Sequence, residues 1–376
     1  MGSKTMSCAV MSSCDEMVRR KSRDSLRPTV IGLAVACLSM PTGACAQSNA
    51  SQPTTAQAVS DRVDGAKPGD RIVLATGDYG PLKLKGRKFA APGVVIEAAP
   101  GAKVTFSSIV IDGLEGLTIK GVDVDITSEN YGVTVVNASR VTLSGLKIHA
   151  PKDKSPNAMI LRYDHEVTVE DCEIHDVSFG IAFLESDHLR ILRNNFTDLQ
   201  VDSIRGSSSY TQVIGNHAQN FHPHQGDHPD FIQFWGPGQG ARDKGNVIRD
   251  NVYQRGDGDV AQGIFIGDNE DIEITGNALL GSMYNAIALA SVNRALVEGN
   301  FVQSYDDMGA RIVTRGVSSD VTVRNNVTPD IVNYAEGGKP NPGYKEENNK
   351  SIRSVKIGET KDLQAWLAKR PAPKAD

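Results

Sequence analysis

Apolar and polar positions alternate along most of this chain, in a pattern that returns about every two dozen residues. The unit reads apolar-x-apolar-x-x-(Asn or apolar)-x-apolar. It starts at Leu117 (LTIKGVDV), Val141 (VTLSGLKI), Val167 (VTVEDCEI), Leu189 (LRILRNNF) and Thr211 (TQVIGNHA). It returns at Asn246 (NVIRDNVY), Ile272 (IEITGNAL), Ala295 (ALVEGNFV) and Val321 (VTVRNNVT). A period of two marks strands with one buried face. Asn fills the third marked position at Asn194, Asn216, Asn251, Asn277, Asn300 and Asn326. Stacked at a bend, such side chains can bond to each other and to the backbone as a ladder.

A second strand follows in each unit. It shows as Tyr131-Gly132-Val133, Phe179-Gly180-Ile181, Asp202-Ser203-Ile204, Asp230-Phe231-Ile232, Gln262-Gly263-Ile264 and Asn285-Ala286-Ile287. Two or three strands per unit, repeated about nine times, predict a solenoid. The skeleton is not that of leucine-rich repeats, and the unit is too short for a propeller blade. The predicted fold is an all-β, right-handed parallel β-helix over 56–336. A short amphipathic helix at 56–66, with Val59 and Val63 on one side, would cap the open end of the stack. Lys67-Pro68-Gly69-Asp70 turns the chain into a strand at 71–75. From residue 337 the pattern fades, leaving a C-terminal extension. A short helix is expected at 362–368, packing Trp366 on the barrel, with a disordered tail after Lys369.

Unit starts lie 22 to 26 residues apart, except for 35 residues between Thr211 and Asn246. Insertions in a solenoid become loops on one face, often the binding face. The excess contains Phe221-His222-Pro223-His224-Gln225-Gly226-Asp227-His228-Pro229-Asp230 and a polar loop at 236–245. All eight histidines fall between His149 and His228, and three lie in this insertion.

Aligning the second strands stacks Ile181, Ile204, Ile232, Ile264 and Ile287 in successive coils, about 4.8 Å apart. The next residues, Ala182, Arg205, Gln233, Phe265 and Ala288, then point outward. The strand starts are Phe179, Asp202, Asp230, Gln262 and Asn285. Asp202, Arg205, Asp230 and Gln233 are therefore expected in one patch on the outer surface. Trp235 and Phe265 flank it, and His222, His224 and His228 are placed to fold over it. Asp268 and Glu185 sit at the edge of the same face. His175 and His188 read as ordinary turn or surface residues.

The patch suits three chemistries. For β-elimination on a uronate, His228 or Arg205 is the base, and Gln233 and Arg205 bind the carboxylate. Asp202 or Asp230 then orients a histidine or holds Ca2+. For hydrolysis, Asp202 and Asp230 are the natural carboxylate pair. Epimerisation would use the elimination site with return of the proton to the other face. A non-catalytic alternative is a glycan-binding solenoid with Trp235 as stacking platform. His222 and His224, with Asp227 or His228, also form a loose transition-metal set. Arg205 and clustered histidines favour an anionic sugar, so the leading expectation is a lyase acting on an acidic polysaccharide. Asp202, Arg205, His228 and Asp230 are its catalytic candidates. His222, His224, Gln233, Trp235, Phe265 and Asp268 are its binding candidates.

Residues 17–46 change where this activity is expected. A basic run from Met17, an apolar stretch at 29–40 and Ala44-Cys45-Ala46 read as a cleavable export leader behind an upstream extension. Residues 47–55 read as a linker, and the location is expected to be periplasmic or secreted. Four of five cysteines fall within residues 1–46, so only Cys172 remains and no internal disulfide can form. The whole chain carries a net −5 and residues 1–46 carry +3, leaving about −8. That excludes a strongly basic nucleic-acid footprint. No stretch is long and apolar enough for a membrane span, and a monomer is expected.

The opening KPGDRIVLATGDYG and the Asn-bearing coils resemble the pectate-lyase-like superfamily of β-helix proteins, over about residues 67–328. The opening is similar to that of the alginate lyase and chondroitinase B group. This resemblance implies the fold and polysaccharide substrates. It assigns no catalytic residue, because no diagnostic motif of the group stands at matching positions and the polygalacturonase set is incomplete. Asp227-His228-Pro229-Asp230 resembles the Asp-Pro-His-Asp motif of mannuronan epimerases only with His and Pro exchanged.

Overall fold

Three parallel strand ladders wind the chain into a right-handed β-helix. The computed structural model describes residues 52–127, 130–334 and 339–370. The leader reading and most of the 47–55 linker lie outside these residues. Each coil contributes one strand to sheet A, a short one to sheet B and one to sheet C, as in Ser139–Ser144, Lys147–His149 and Asn157–Arg162. Each strand pairs in parallel with its counterpart in the next coil. The short connections are right-handed because right-twisted parallel strands join most readily with that hand.

The helix Ala56–Asp64 covers the N-terminal end. The Thr55 hydroxyl accepts from the Ala58 N–H (3.1 Å), satisfying one donor of the first turn. Val59 and Val63 are buried. The predicted column is present: Ile181, Ile204, Ile232, Ile264 and Ile287 pair in register and are fully buried.

The Asn ladder stands at the bend between sheets A and B. The Asn194 side chain bonds to Asn216 (3.0 Å), Asn216 to Asn251 (3.0 Å), Asn251 to Asn277 (2.9 Å) and Asn277 to Asn300 (3.0 Å). Every oxygen also accepts from a backbone N–H of the preceding coil, as from Cys172 to Asn194 (3.0 Å). The residue before each Asn takes a left-handed conformation, with φ of 63° at Gly276 and 64° at Gly299. That requirement explains the recurring Gly-Asn pairs.

The stack runs further than the sequence pattern. Lys345–Glu347 and Lys350–Ser351 add to sheets A and B, and Asn349 extends the ladder. These strands are exposed, so they carry no buried alternation to read. The second helix spans Lys361–Leu367, and Trp366 packs on Phe301 with ring centroids 5.7 Å apart. Arg370, expected in a disordered tail, donates to the Asp250 carbonyl (2.8 Å); residues beyond it are outside the described set. Cys172 is buried and unpaired, and burial pushes its thiol up to about 12, away from reactivity.

Candidate functional site

The long coil places its two insertions on either side of one sheet C strand, Asp230–Phe234. The His-rich segment enters that strand, and the 236–242 segment leaves it. Arg205 and Gln233 are neighbours in register on the outer face, followed by Phe265 and Ala288.

The carboxylates differ from expectation. Asp202 and Asp230 share the inward parity of Ile204 and Ile232, and they are 2% and 0% exposed. They lie beneath the patch instead of on it. Three of their four oxygens are engaged. Asp202 Oδ1 accepts from the Asp230 N–H (2.8 Å), and its Oδ2 pairs with Arg205 Nη1 (3.0 Å). Asp230 Oδ2 meets His228 Nδ1 (3.3 Å) and accepts from Gln233 Nε2 (3.0 Å). Asp230 Oδ1 is buried without a partner. Burial pushes the Asp202 carboxyl up to about 7, reinforced by the neighbouring Asp230 charge and opposed by Arg205. Burial also raises Asp230. The hydrogen bond to Asp230 raises His228 above the ordinary histidine value. A calcium ion does not fit between these carboxylates: Arg205 already occupies Asp202 Oδ2, and Ca2+ takes six to eight oxygens.

What faces solvent is therefore Arg205 and His228, each anchored from below by an aspartate. The Arg205 guanidinium lies between aromatic rings, 5.3 Å from the centroid of Phe179 and 5.1 Å from that of Trp235. His228 is 57% exposed at its side chain. His222 turns away to pair with Asp198 (3.1 Å). His224 is held through its backbone by Asp227 (3.0 Å). The predicted closure of these two over the patch is not seen, because Asp198 of the preceding coil captures the His222 ring and Asp227 of the same turn fixes the His224 backbone. The His222, His224, Asp227 and His228 set does not converge; among the described residues its ligand atoms form no common cluster. Phe265 lies under Arg315 (5.5 Å). Asp268 backs the outgoing loop: a Cβ added at Gly236 would come within 2.4 Å of its own Cβ.

A cavity of about 480 Å³ opens at the other end of the same sheet C strands. Arg162, Glu185, Asp187, Ser207, Ser209, Tyr210, Trp235 and Asp243 line it. Asp202 and Asp230 are not among its lining residues. Trp235 belongs to both regions and joins them into one face. From Asp202 to Ser207 this face runs roughly 17 Å, at about 3.3 Å per strand residue. Most of the cavity wall escaped the sequence reading. Its residues follow the strands at the bend toward sheet A, where no alternation signals a direction. One clue was available, since the His165 and Asp187 positions fall in register once sheet A is aligned.

The fold and this outward face define a right-handed β-helix with one polar, aromatic-edged surface. The family described as "Right handed beta helix region" matches residues 76–226. No curated protein sequence matches. Among solved structures, a lacto-N-biosidase from Eubacterium ramulus superposes with a TM-score of 0.52. It is 11% identical over 80% of this chain and 64% of its own. An alginate lyase from Paenibacillus sp. gives 0.46 at 16% identity, over 79% and 98% of the two chains. A surface adhesin of Streptococcus pneumoniae gives 0.45 at 11% identity, over 79% and 87%. These similarities are of fold.

Proposed function

We propose that this protein is a polysaccharide lyase that cleaves an acidic, uronate-containing glycan by β-elimination. The observation that carries this reading is the pairing of one exposed cation and one exposed imidazole with separate buried aspartates. Asp202 fixes Arg205, and Asp230 fixes His228. With Nδ1–H donated to Asp230, His228 presents a basic Nε2 to solvent. It takes the C5 proton of a uronate; the C–H pair forms the C4–C5 double bond and expels the C4 oxygen, which leaves as a hydroxyl after taking a proton from water. Arg205 neutralises the charge that develops on the uronate carboxylate, and Gln233 donates a hydrogen bond to it. Trp235 offers a sugar-stacking ring at the cavity rim. No step requires a metal at the aspartates.

Hydrolysis by Asp202 and Asp230 is the weaker reading, since neither carboxyl reaches the surface to meet a glycosidic oxygen. We place the activity outside the cytoplasm, on the leader-like pattern of residues 17–46. Incubating the protein with a panel of uronate polymers separates the alternatives. Rising ultraviolet absorbance from unsaturated ends is expected. Reducing ends without absorbance would replace the lyase with a hydrolase. Inverted uronates without cleavage would replace it with an epimerase. Binding without any product would leave a glycan-binding module.

A further inference from the structure

Two imidazoles and a carboxylate converge at a corner that the proposed reaction does not use. His165 opens a sheet A strand, His165–Glu170, and Asp187 ends the sheet C strand of the next coil, Ile181–Asp187. The two residues are register partners, one coil apart. His188 follows Asp187 and returns its ring to the same carboxylate. The Nδ1 atoms of His165 and His188 both meet Asp187 Oδ1, the latter at 2.9 Å. One ligand atom from each residue falls within 4.8 Å of the others. The rings stand edge to face with centroids 5.1 Å apart, and Tyr210 stacks on His188 at 5.0 Å. All three side chains are about half exposed, so an ion can enter. Asp187 also lines the 480 Å³ cavity, while His188 and Glu166 line a smaller one beside it.

We infer that His165, Asp187 and His188 form a binding site for a divalent transition metal of the zinc class. Two imidazole nitrogens and one carboxylate oxygen are a borderline-soft donor set that suits zinc-like ions over calcium or magnesium. Three protein ligands leave a fourth position open toward the cavity, where an anionic group of a bound molecule can complete the shell. The parallel pairing of adjacent coils holds His165 and Asp187 at fixed separation, so binding needs only side-chain adjustment. Hydrogen bonds within the trio explain its resting arrangement, in which Asp187 is held below the usual carboxylate range by His188 and His165 against the effect of burial. The inference does not depend on the proposed elimination.

Tag-free full-length protein is titrated with Co2+, following the visible absorption of the nitrogen-coordinated ion, and then with competing Zn2+. Saturation at one ion per chain is expected, with displacement by Zn2+ and none by Ca2+. His165→Ala and His188→Ala should each weaken binding at least about tenfold. Thermal unfolding of the metal-free variants should match the parent, because these side chains are surface groups. His175→Ala, outside the trio, should bind as the parent does. No saturable spectrum, retained affinity in the His165→Ala/His188→Ala double variant, or loss in His175→Ala would each overturn the assignment.

Discussion

Replacing Asp202 with Asn should change how stability depends on pH more than any other single substitution at the site. The carboxyl is buried and raised from 3.8 to about 7. A raised acid favours the folded state when protonated. Its contribution is complete below the unfolded value and disappears as pH rises through the folded value. A shift of about three units corresponds to about 4 kcal/mol, at 1.36 kcal/mol per unit. About 3 kcal/mol of this falls between about pH 4.5 and pH 7.5. Asp164, raised by burial to about 6, adds in the same direction. The parent protein should therefore gain urea resistance on mild acidification from neutrality. In Asp202→Asn the amide oxygen still accepts from the Asp230 N–H, but the titrating group is gone. Loss of the Asp202 charge also eases ionisation of Asp230, so the pH slope should flatten by about 3 kcal/mol across that range. Urea-unfolding free energies of both proteins at several pH values provide the measurement. Parallel curves, or a parent that loses stability between pH 7 and 5, would refute the buried-carboxylate account.

Three further outcomes follow from the same geometry. His228→Gln should lower elimination by 10² to 10⁴, the usual contribution of a general base. In the parent, initial rates should fall on the acid side as His228 protonates; Asp230→Asn should move that limb to lower pH, because the hydrogen bond that raises His228 is weakened. Arg205→Lys should raise KM for a charged polymer more than for a neutralised ester, since Lys keeps charge but not the planar fork held between Phe179 and Trp235. Asn251→Ala should cost about 4 kcal/mol, because it removes four buried hydrogen bonds, those from the Asn216 N–H and amide and those to the Val213 carbonyl and the Asn277 oxygen, at about 1 kcal/mol each. Asn349→Ala, at the half-exposed end of the ladder, should cost less than about 2 kcal/mol in chemical denaturation.

Sequence alone determined the coil, because period-two alternation and a fixed repeat are local properties that parallel stacking preserves. It located the Ile column, the Asn ladder and the neighbourhood of Asp202, Arg205, Asp230 and Gln233, since register carries a position in one coil onto the next. It did not determine which side of the sheet the aspartates occupy in effect. Their inward parity lies at a strand end, where a turn can leave a side chain wet or seal it, and only packing by the long coil sealed them. Nor did it place His222, held by Asp198 of the preceding coil, or His224, whose partner Asp227 depends on the path of a loop without a repeat. The His165, Asp187 and His188 corner was hidden for a related reason. His165 and Asp187 share a repeat position, but Asp187 ends a sheet C strand and His165 opens a sheet A strand, so only the closed coil turns that register into a contact.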